Sequence, residues 1–579
     1  MGAPQPPGRR EARPQPGIAR VLPDVAALSA RPFDYLIPES MAHEVRIGSV
    51  VRVPLHGRRV RGWVVELADE PETARRLLPI AKVSSIGPSV ELLALAEWAA
   101  WRWAGSVTRF LRTSSPPVAV RGLPAAPARP THGRGFQVEV VRVPPAADTV
   151  GLVEAAARLG DALVLAPSLG EAAMVAARLR RGGVPVALVP REWARAAAGG
   201  CAVVGARAAA WAPVGALAAV VVIDEHDEVY QEERAPTWNA RDVALERARR
   251  AGAPCWLTSP CPSLEALALG ELRLAGRAEE RAGWPALEVV DRREEAPGLG
   301  LYSERLVTLL RAATPEDRVV CVLNRKGRAV LIACVACGEL ARCERCDGPL
   351  ESGGPAGLRC RRCGAERPPV CRWCGAGKFK ALRIGVSRVR EELELLAGQA
   401  VAEVTGDTPT GGGPLPAAPV LVGTAAVLHR AARARVVAFL DFDQELLAPR
   451  YRAGEQALAL LARAARVVGG RDGRVLVQTR VPGHEVLDAA LHADPSRFTV
   501  VEEARRAALR MPPEVALARV SGPGAEEVVS QLGLGVDVLG PAGDRWLVRA
   551  DDHQALCDAL AKVKRPSDRV RIEVDPLRA

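Results

Sequence analysis

VVVIDEHDEVYQEERAPTWNARDVALERARR, residues 220–250, holds the junction that decides the fold. An apolar run, 217–223 (LAAVVVI), stops abruptly at Asp224, Glu225, Asp227 and Glu228 and gives way to a helical pattern. The run has the length of one buried strand, and it delivers the carboxylates to its C-terminal end, the edge of an open α/β sheet where ligands bind. Outward from this strand, DALVLAP (161–167) and CAVVGA (201–206) are runs of the same kind, alternating with helical patterns at 151–159 and 170–181. That rhythm is βαβ, hence a parallel sheet. A second series starts near 301 (LYSERLVTLLRAA, then RVVCVLNRKG), is interrupted by a cysteine cluster, and resumes with 384–398, PVLVGT (419–424) and RVVAFLDFD (435–443). The chain therefore holds two α/β lobes.

Smaller units flank them. Residues 33–67 alternate apolar and polar positions between Gly and Pro, as short antiparallel strands of a small barrel or sandwich do. Residues 91–112 carry apolar groups at helical spacing with Trp98, Trp101 and Trp103, read as packing against that unit rather than as base-stacking rings. Residues 115–134 are rich in Pro and Gly and read as a linker. From about 500, short strands surround helices near 524–532 and 552–563, a small α+β cap.

A chain of 579 residues exceeds one hydrophobic core and divides into several domains. At 48% hydrophobic and 25% charged it has the composition of a soluble protein, and its longest apolar run is far short of a bilayer crossing. Residues 1–20 are Pro-, Arg- and Gly-rich, a disordered basic tail rather than a signal peptide, so cytoplasmic residence is expected. The net charge of +11 favours a polyanionic partner, because each neutralised phosphate releases counterions.

Of thirteen cysteines, eight fall in Cys334-x2-Cys337-x5-Cys343-x2-Cys346-x13-Cys360-x2-Cys363-x7-Cys371-x2-Cys374. Four CxxC pairs supply two closed shells of four thiolates, which suits structural zinc and leaves no position for a catalytic water. Gly338, Gly364 and Gly375 follow the second Cys of a pair, where knuckle turns need positive φ. The other cysteines, Cys201, Cys255, Cys261, Cys321 and Cys557, read as core thiols. Around the ribbons, Arg342, Arg345, Arg359, Arg361, Arg362, Arg372, Trp373, Lys378 and Lys380 form either a solvated face or a nucleic-acid contact surface.

The acidic strand end would hold Mg²⁺ in a nucleotide hydrolase, or would be merely an acidic loop. A phosphate-binding partner decides between them. The chain has six lysines, none followed by Ser or Thr, and 141–165, where the loop belongs, has no lysine. An ordinary P-loop is absent.

Taken in order, these pieces resemble the primosomal protein N′ (PriA) family of replication-restart proteins over nearly the whole chain. RPFDYLIPE (31–39) and VRVPLHGRRVRGWVVE (51–66) are similar to the family's domain that captures the 3′-hydroxyl end of a nascent strand. The resemblance implies that Asp34 receives that hydroxyl and that Phe33, Tyr35 and Gly57 form the pocket. It pairs the zinc ligands in nested fashion, Cys334, Cys337, Cys371 and Cys374 in one site and Cys343, Cys346, Cys360 and Cys363 in the other. GARAAAWAP (205–213), IDEHDEVYQ (223–231), TSPCPSLEAL (258–267) and LNRKGRA (323–329) resemble helicase motifs. Aligned on Glu225 and His226, however, the magnesium-holding Asp has become Ile223 and the catalytic Glu has become Asp224. The GTE-like motif has become Gly385-Val386-Ser387, LVGTAAVLHR (421–430) keeps only VGT, and RAARVVGG (463–470) stands where the arginine-finger motif belongs. VQTRVPGHEVL (477–487), RMPP (510–513), GPAGDRWLVRA (540–550) and EVDPL (573–577) fit the family's C-terminus again.

The resemblance thus implies a multidomain α/β protein: a tail (1–20), a small β domain that binds DNA 3′ ends (21–114), a linker in place of a winged helix (115–147), and two degenerate RecA-like helicase lobes. The lobes would span 148–295, then 296–333 with 376–499, around an inserted double zinc ribbon (334–375), before a C-terminal α+β domain (500–579). Binding elements persist while hydrolysis elements are lost together. The implied function is a non-hydrolysing restart protein on stalled forks and D-loops that promotes reloading of the replicative helicase. Its partners would be branched DNA, other primosome and helicase-loading proteins and single-stranded DNA-binding protein; it would have no membrane partner and would be nucleoid-associated. Two zinc ions per chain are expected, and binding of ATP and Mg²⁺ is put in question. The alternatives are an active 3′-to-5′ helicase with a divergent nucleotide site, and a zinc-ribbon adaptor with mainly protein partners.

Overall fold

The computed structural model describes residues 17–25, 31–72, 76–127, 135–295, 301–323, 332–346, 348–354, 356–360, 363–381, 386–404, 417–431, 433–566 and 568–578. Residues 324–329 of LNRKGRA, Arg361, Arg362, Gly385 and the tail through residue 16 lie outside them, as do the side chains of Val386 and Ser387.

The strand read from 217–223 is Leu217–Val222, every residue of it buried. It lies in a seven-stranded parallel sheet between Cys255–Ser259 and Asp161–Leu165. Beyond Cys255–Ser259 come Val138–Arg142 and the edge strand Glu271–Leu274; beyond Asp161–Leu165 come Ala202–Gly205 and Val186–Leu188. The second lobe is a six-stranded parallel sheet in the order Ala286–Asp291, Arg474–Thr479, Val436–Phe439, Val319–Val322, Val420–Gly423 and Val401–Val404. These are the two RecA-like lobes.

Three expected boundaries move. Val138–Arg142, inside the stretch read as linker, is an interior strand of the first sheet, and Ala286–Asp291, read as part of the first lobe, edges the second. The described residues 115–127 carry neither helix nor strand. Helix Ser496–Leu509 spans the boundary expected at 500; it packs on helix Glu485–Leu491 of the second lobe, and the C-terminal unit begins with strand Ala516–Ser521.

The N-terminal unit is a five-stranded antiparallel sheet in the order Phe33–Leu36, Ile18–Pro23, Arg58–Ala68, Val50–Leu55, Lys82–Ser85. Ala19, Val21, Tyr35, Val51, Val53 and Val64 form its own small core. Trp63 and Val50 instead join a larger core, shared with helix Val90–Arg102, one face of the first lobe and the C-terminal unit. Trp103 is fully buried there and Trp98 packs edge-on against it at 5.3 Å, while Trp101 Nε1 donates to Asp558 of the C-terminal unit at 2.8 Å. Trp98 and Trp103 therefore serve packing, as read, while the half-buried Trp101 is bonded to the C-terminal unit instead. The C-terminal unit is a four-stranded antiparallel sheet with helices Ala525–Ser530 and His553–Lys562. Among the described residues no helix is long and apolar enough to cross a membrane.

Candidate functional site

Three places carry the chemistry. In the N-terminal unit the edge strand Phe33–Leu36 presents Phe33 outward, partly exposed, and turns Tyr35 into the core, where its hydroxyl donates to the Pro54 carbonyl at 3.1 Å. That bond ties the strand to the PLHG turn. His56 and Gly57, both left-handed (φ 47° and 75°), close a two-residue hairpin between Leu55 and Arg58, the turn that matches the twist of the flanking strands. No atom lies within 4 Å of where a Cβ on Gly57 would stand, so that face is open. Asp34 is largely covered: its Oδ2 accepts from the Glu72 backbone amide at 2.7 Å, and Arg20 Nε lies 3.5 Å from Oδ1. Arg20 also pairs with Glu66 at 2.5 Å and Glu72 at 3.0 Å. Phe33 and Gly57 thus lie at the surface of one small unit, Asp34 sits beneath Glu72 and Arg20, and Tyr35 fastens the unit from within. Arg20, whose cross-strand neighbours are Asp34 and Glu66, was not singled out by sequence, although the register makes all three adjacent.

The cysteines gather into two clusters, Cys334, Cys337, Cys371 and Cys374, and Cys343, Cys346, Cys360 and Cys363, with the sulfurs of each within 4.8 Å of one another. These are the nested sets expected. Strand Ile332–Cys334 pairs with Phe379–Ala381 to bring the first and last CxxC together, and the sheet of Leu350–Gly354, Gly357–Cys360 and Glu366–Arg367 carries the inner set. A tetrahedron of thiolates about 2.3 Å from a zinc ion has edges of about 3.8 Å. The closest sulfur pairs are 3.5 Å (Cys334–Cys374), 3.6 Å (Cys337–Cys371), 3.5 Å (Cys343–Cys363) and 3.5 Å (Cys346–Cys360), so the donors fit such an ion. Gly338, Gly364 and Gly375 have φ of 75°, 72° and 72°, and each amide closes its knuckle on the carbonyl of the first Cys of its pair. An ion there supplies structure only, since four thiolates fill its shell. Trp373 stands 76% exposed on this unit beside Arg372, an uncovered aromatic among cations.

The third place is the cleft between the lobes. After strand Leu217–Val222 the chain turns at Asp224, left-handed at φ 51°, a conformation Asp tolerates better than most residues. Every carboxylate of the acidic loop meets an arginine. Both oxygens of Asp224 accept from Arg466, at 2.5 and 2.9 Å. Glu225, fully buried, accepts from Arg241 at 3.1 Å and from the amide and hydroxyl of Ser263 at 2.8 Å each. Asp227 accepts from Arg463 at 2.7 Å, and Glu228 lies 3.7 Å from Arg450. His226 Nδ1 shares a proton with Ser259 Oγ at 2.7 Å. Burial alone would raise the Asp224 carboxyl, but the Arg466 pair outweighs it and holds it well below the carboxylate range.

The loop after strand Val138–Arg142, where a phosphate loop belongs, is likewise occupied. Asp148 caps the following helix by accepting from the Val150 amide at 2.9 Å and pairs with Arg178 at 2.6 Å, and the Pro145 carbonyl accepts from Arg466 Nε at 2.9 Å. Magnesium requires oxygens that are free to leave water for the ion. Asp224, Glu225 and Asp227 are each hydrogen-bonded to an arginine, and Glu228, 3.7 Å from Arg450, is a single carboxylate, so the site does not fit that ion. Sequence reading placed Arg463 and Arg466 in a stretch lacking the arginine-finger context. Yet helix Ala453–Val468 carries them three residues apart, on one face, directly onto the acidic loop. Burial, and then Arg463, pushes the nearby His429 imidazole down to about 4, leaving it neutral at neutral pH.

The family described as 3′DNA-binding domain (3′BD) matches residues 20–116, the N-terminal unit with its two helices. Among curated relatives, the probable replication restart protein PriA of Mycobacterium bovis is 29% identical over 574 residues, covering 85% of each chain. Its counterpart in Mycobacterium leprae is 28% identical over 649 residues, 94% of this chain and 98% of the relative. The replication restart protein PriA of Treponema pallidum is 31% identical over 383 residues, 59% and 57% of the two chains. A solved structure, S. cerevisiae Dbp5 bound to RNA and ADP BeF3, aligns with 64% of this chain and 89% of its own at 11% identity and a TM-score of 0.36.

Proposed function

This chain belongs to the PriA family of replication restart proteins, and from that premise we propose that it is a DNA-binding restart factor that does not itself hydrolyse ATP. It would recognise stalled forks and D-loops by their 3′ ends and promote reloading of the replicative helicase in the bacterial cytoplasm, together with primosome proteins and single-stranded DNA-binding protein. Asp34 would accept the terminal 3′-hydroxyl on a lone pair left by Glu72 and Arg20, with Phe33 against the last base and the open Gly57 turn admitting the sugar. The two cysteine clusters would each hold zinc and keep the ribbons, with Arg372 and Trp373, folded against the DNA.

One observation carries the non-hydrolysing reading: each of Asp224, Glu225, Asp227 and Glu228 is matched to an arginine, Arg466, Arg241, Arg463 and Arg450. A hydrolase needs those carboxylates for a metal and a water, and needs the arginines for phosphate. The test is phosphate release by zinc-replete protein on a forked substrate, with fork binding measured in the same sample. Binding without release is expected. Release that stimulates with DNA and disappears in Asp224→Asn would instead mean an active helicase.

A further inference from the structure

Three of the four arginines on the acidic loop, Arg450, Arg463 and Arg466, come from the opposite lobe. Nucleotide-driven machines of two lobes close their cleft when a triphosphate is shared between the phosphate loop of one lobe and arginines of the other, and open it when the phosphate leaves. Here Arg466 spends all three of its nitrogens across the cleft, two on Asp224 and one on the Pro145 carbonyl, while Arg463 bridges Asp227 and, at 3.5 Å, Glu171. Further contacts run beside these. Glu455 accepts from the Leu264 amide at 3.0 Å, Arg452 meets Glu265 at 2.5 Å, and Arg142 donates to Ser496 Oγ at 2.6 Å. Cys261, which follows strand Cys255–Ser259 of the first lobe, is 7% exposed and packs into the core of the second.

We infer that Arg463 and Arg466, paired with Asp227 and Asp224, take the place of a bound nucleotide and hold the two lobes closed at all times, so that the chain is a rigid frame rather than a nucleotide-gated one. The inference rests on the non-hydrolysing reading and deepens it: a lobe pair that never opens presents the strand-end pocket, the ribbons and the C-terminal unit in one fixed geometry. An acidic residue able to charge-pair within its own chain needs no ligand to be satisfied, and Asp224 and Asp227, each hydrogen-bonded to an arginine of the opposite lobe, have nothing to gain from opening toward one.

The reporter is Cys261, which becomes accessible when the lobes part. Alkylation of each cysteine in the full-length, zinc-loaded protein is followed by peptide mass spectrometry, with and without millimolar Mg·ATP. Cys255 in the first lobe's core and Cys321 in the second's, both fully buried, report on unfolding of either lobe. In the wild-type chain, Cys261 should label slowly and at a rate that Mg·ATP leaves within twofold. In the double variant Arg463→Ser, Arg466→Ser it should label at least about tenfold faster, with Cys255 and Cys321 unchanged. Asp227→Asn, a milder change at a partly exposed position, should give a smaller acceleration in the same direction and serves if the double variant does not fold. Equal Cys261 rates in wild type and Asp227→Asn, or a wild-type rate that Mg·ATP changes several-fold, would overturn the lock. Phosphate release read in the same tubes judges the parent reading separately: release with an unmoved Cys261 rate sinks non-hydrolysis while the closed cleft stands.

Discussion

Asp34 and Asp575 show how much depends on single carboxylates here, and for opposite reasons. Asp34 keeps acceptor capacity beside an exposed aromatic, so its loss should be felt by a ligand. A hydrogen bond to a charged acceptor contributes about 1.5–3 kcal/mol, hence roughly 10- to 100-fold in affinity. Asp34→Ala should therefore weaken binding to a fork with a free 3′-hydroxyl by about that factor, measured by anisotropy, and leave binding to a fork with a blocked 3′ end almost unchanged. Equal losses on both would remove the hydroxyl from Asp34. Asp575 faces inward instead. It accepts from Arg102 at 2.7 Å and pairs with His553 at 2.8 Å, joining the C-terminal strand to the N-terminal helix. Burial opposes ionisation, but Arg102 and His553 prevail and hold the carboxyl far below its ordinary value. A depressed carboxylate stabilises the fold above its unfolded pKa of about 3.9 and loses that contribution as pH falls. Asp575→Asn should cost about 3 kcal/mol at pH 7, at the low end for a broken buried pair because part of the side chain is exposed, as read by urea unfolding. The gap between wild type and variant should narrow as pH drops from about 5 toward 3, and a gap that widens would contradict the assignment.

At the scale of elements, the cysteine clusters and the arginine-bearing helix Ala453–Val468 differ in how far local sequence could reveal them. Spacing gives two sets of four thiolates and the resemblance implies how they nest, and the structure brings together the same eight sulfurs. Because the two clusters share no ligand, Cys337→Ser should lower bound metal from about two ions per chain to about one, by elemental analysis, and leave the inner ribbon of Cys343, Cys346, Cys360 and Cys363 protected from alkylation. Loss of both ions at once would mean a shared cluster. The uninterrupted strands were equally legible, since Asp161–Leu165, Ala202–Gly205 and Leu217–Val222 are apolar through almost their whole length and buried throughout. Val138–Arg142 was not, because it carries Glu139 and Arg142. Glu139 accepts from Trp256 at 2.7 Å and Arg142 pairs with Glu280 at 2.7 Å. Partners more than a hundred positions away make those charges tolerable inside a sheet, and no local pattern displays them. The same holds for the helix Ala453–Val468. Its arginines looked out of context because their context is a loop over two hundred residues earlier.

At the scale of the whole molecule, one core crosses the expected domain boundaries. Trp63, Leu92, Trp103 and Phe110 of the N-terminal region, Val140, Leu163, Val220 and Leu257 of the first lobe, and Ala518, Val548, Leu556 and Val574 of the C-terminal unit belong to a single buried cluster. The second lobe has clusters of its own, and Cys261 and Trp284 of the first lobe, with Leu340 of the cysteine-rich unit, cross into one of them. Polar ties reinforce the first arrangement: Trp101 to Asp558, Arg102 to Asp575, the Thr237 hydroxyl to the Val574 carbonyl at 3.2 Å, and Arg565 to the Ala104 carbonyl. An element that shares a core cannot unfold without exposing its neighbours' apolar surface, at about 1.5–3 kcal/mol for each large side chain uncovered, so such elements open together. Native-state hydrogen exchange in rising denaturant should therefore show helix Val90–Arg102, strand Leu217–Val222 and strand Ala516–Ser521 merging into one opening event, with Arg474–Thr479 of the second lobe opening at a different denaturant concentration. Removing residues 514–579 should then speed exchange in helix Val90–Arg102 by orders of magnitude, although that helix lies more than four hundred residues away in the chain. If the helix stayed protected in the truncated protein, the C-terminal unit would be an appended module. If its protection collapsed, the ends of the chain and the first lobe would form one cooperative body, and the proposed strand-end pocket would derive its rigidity from the far end of the sequence.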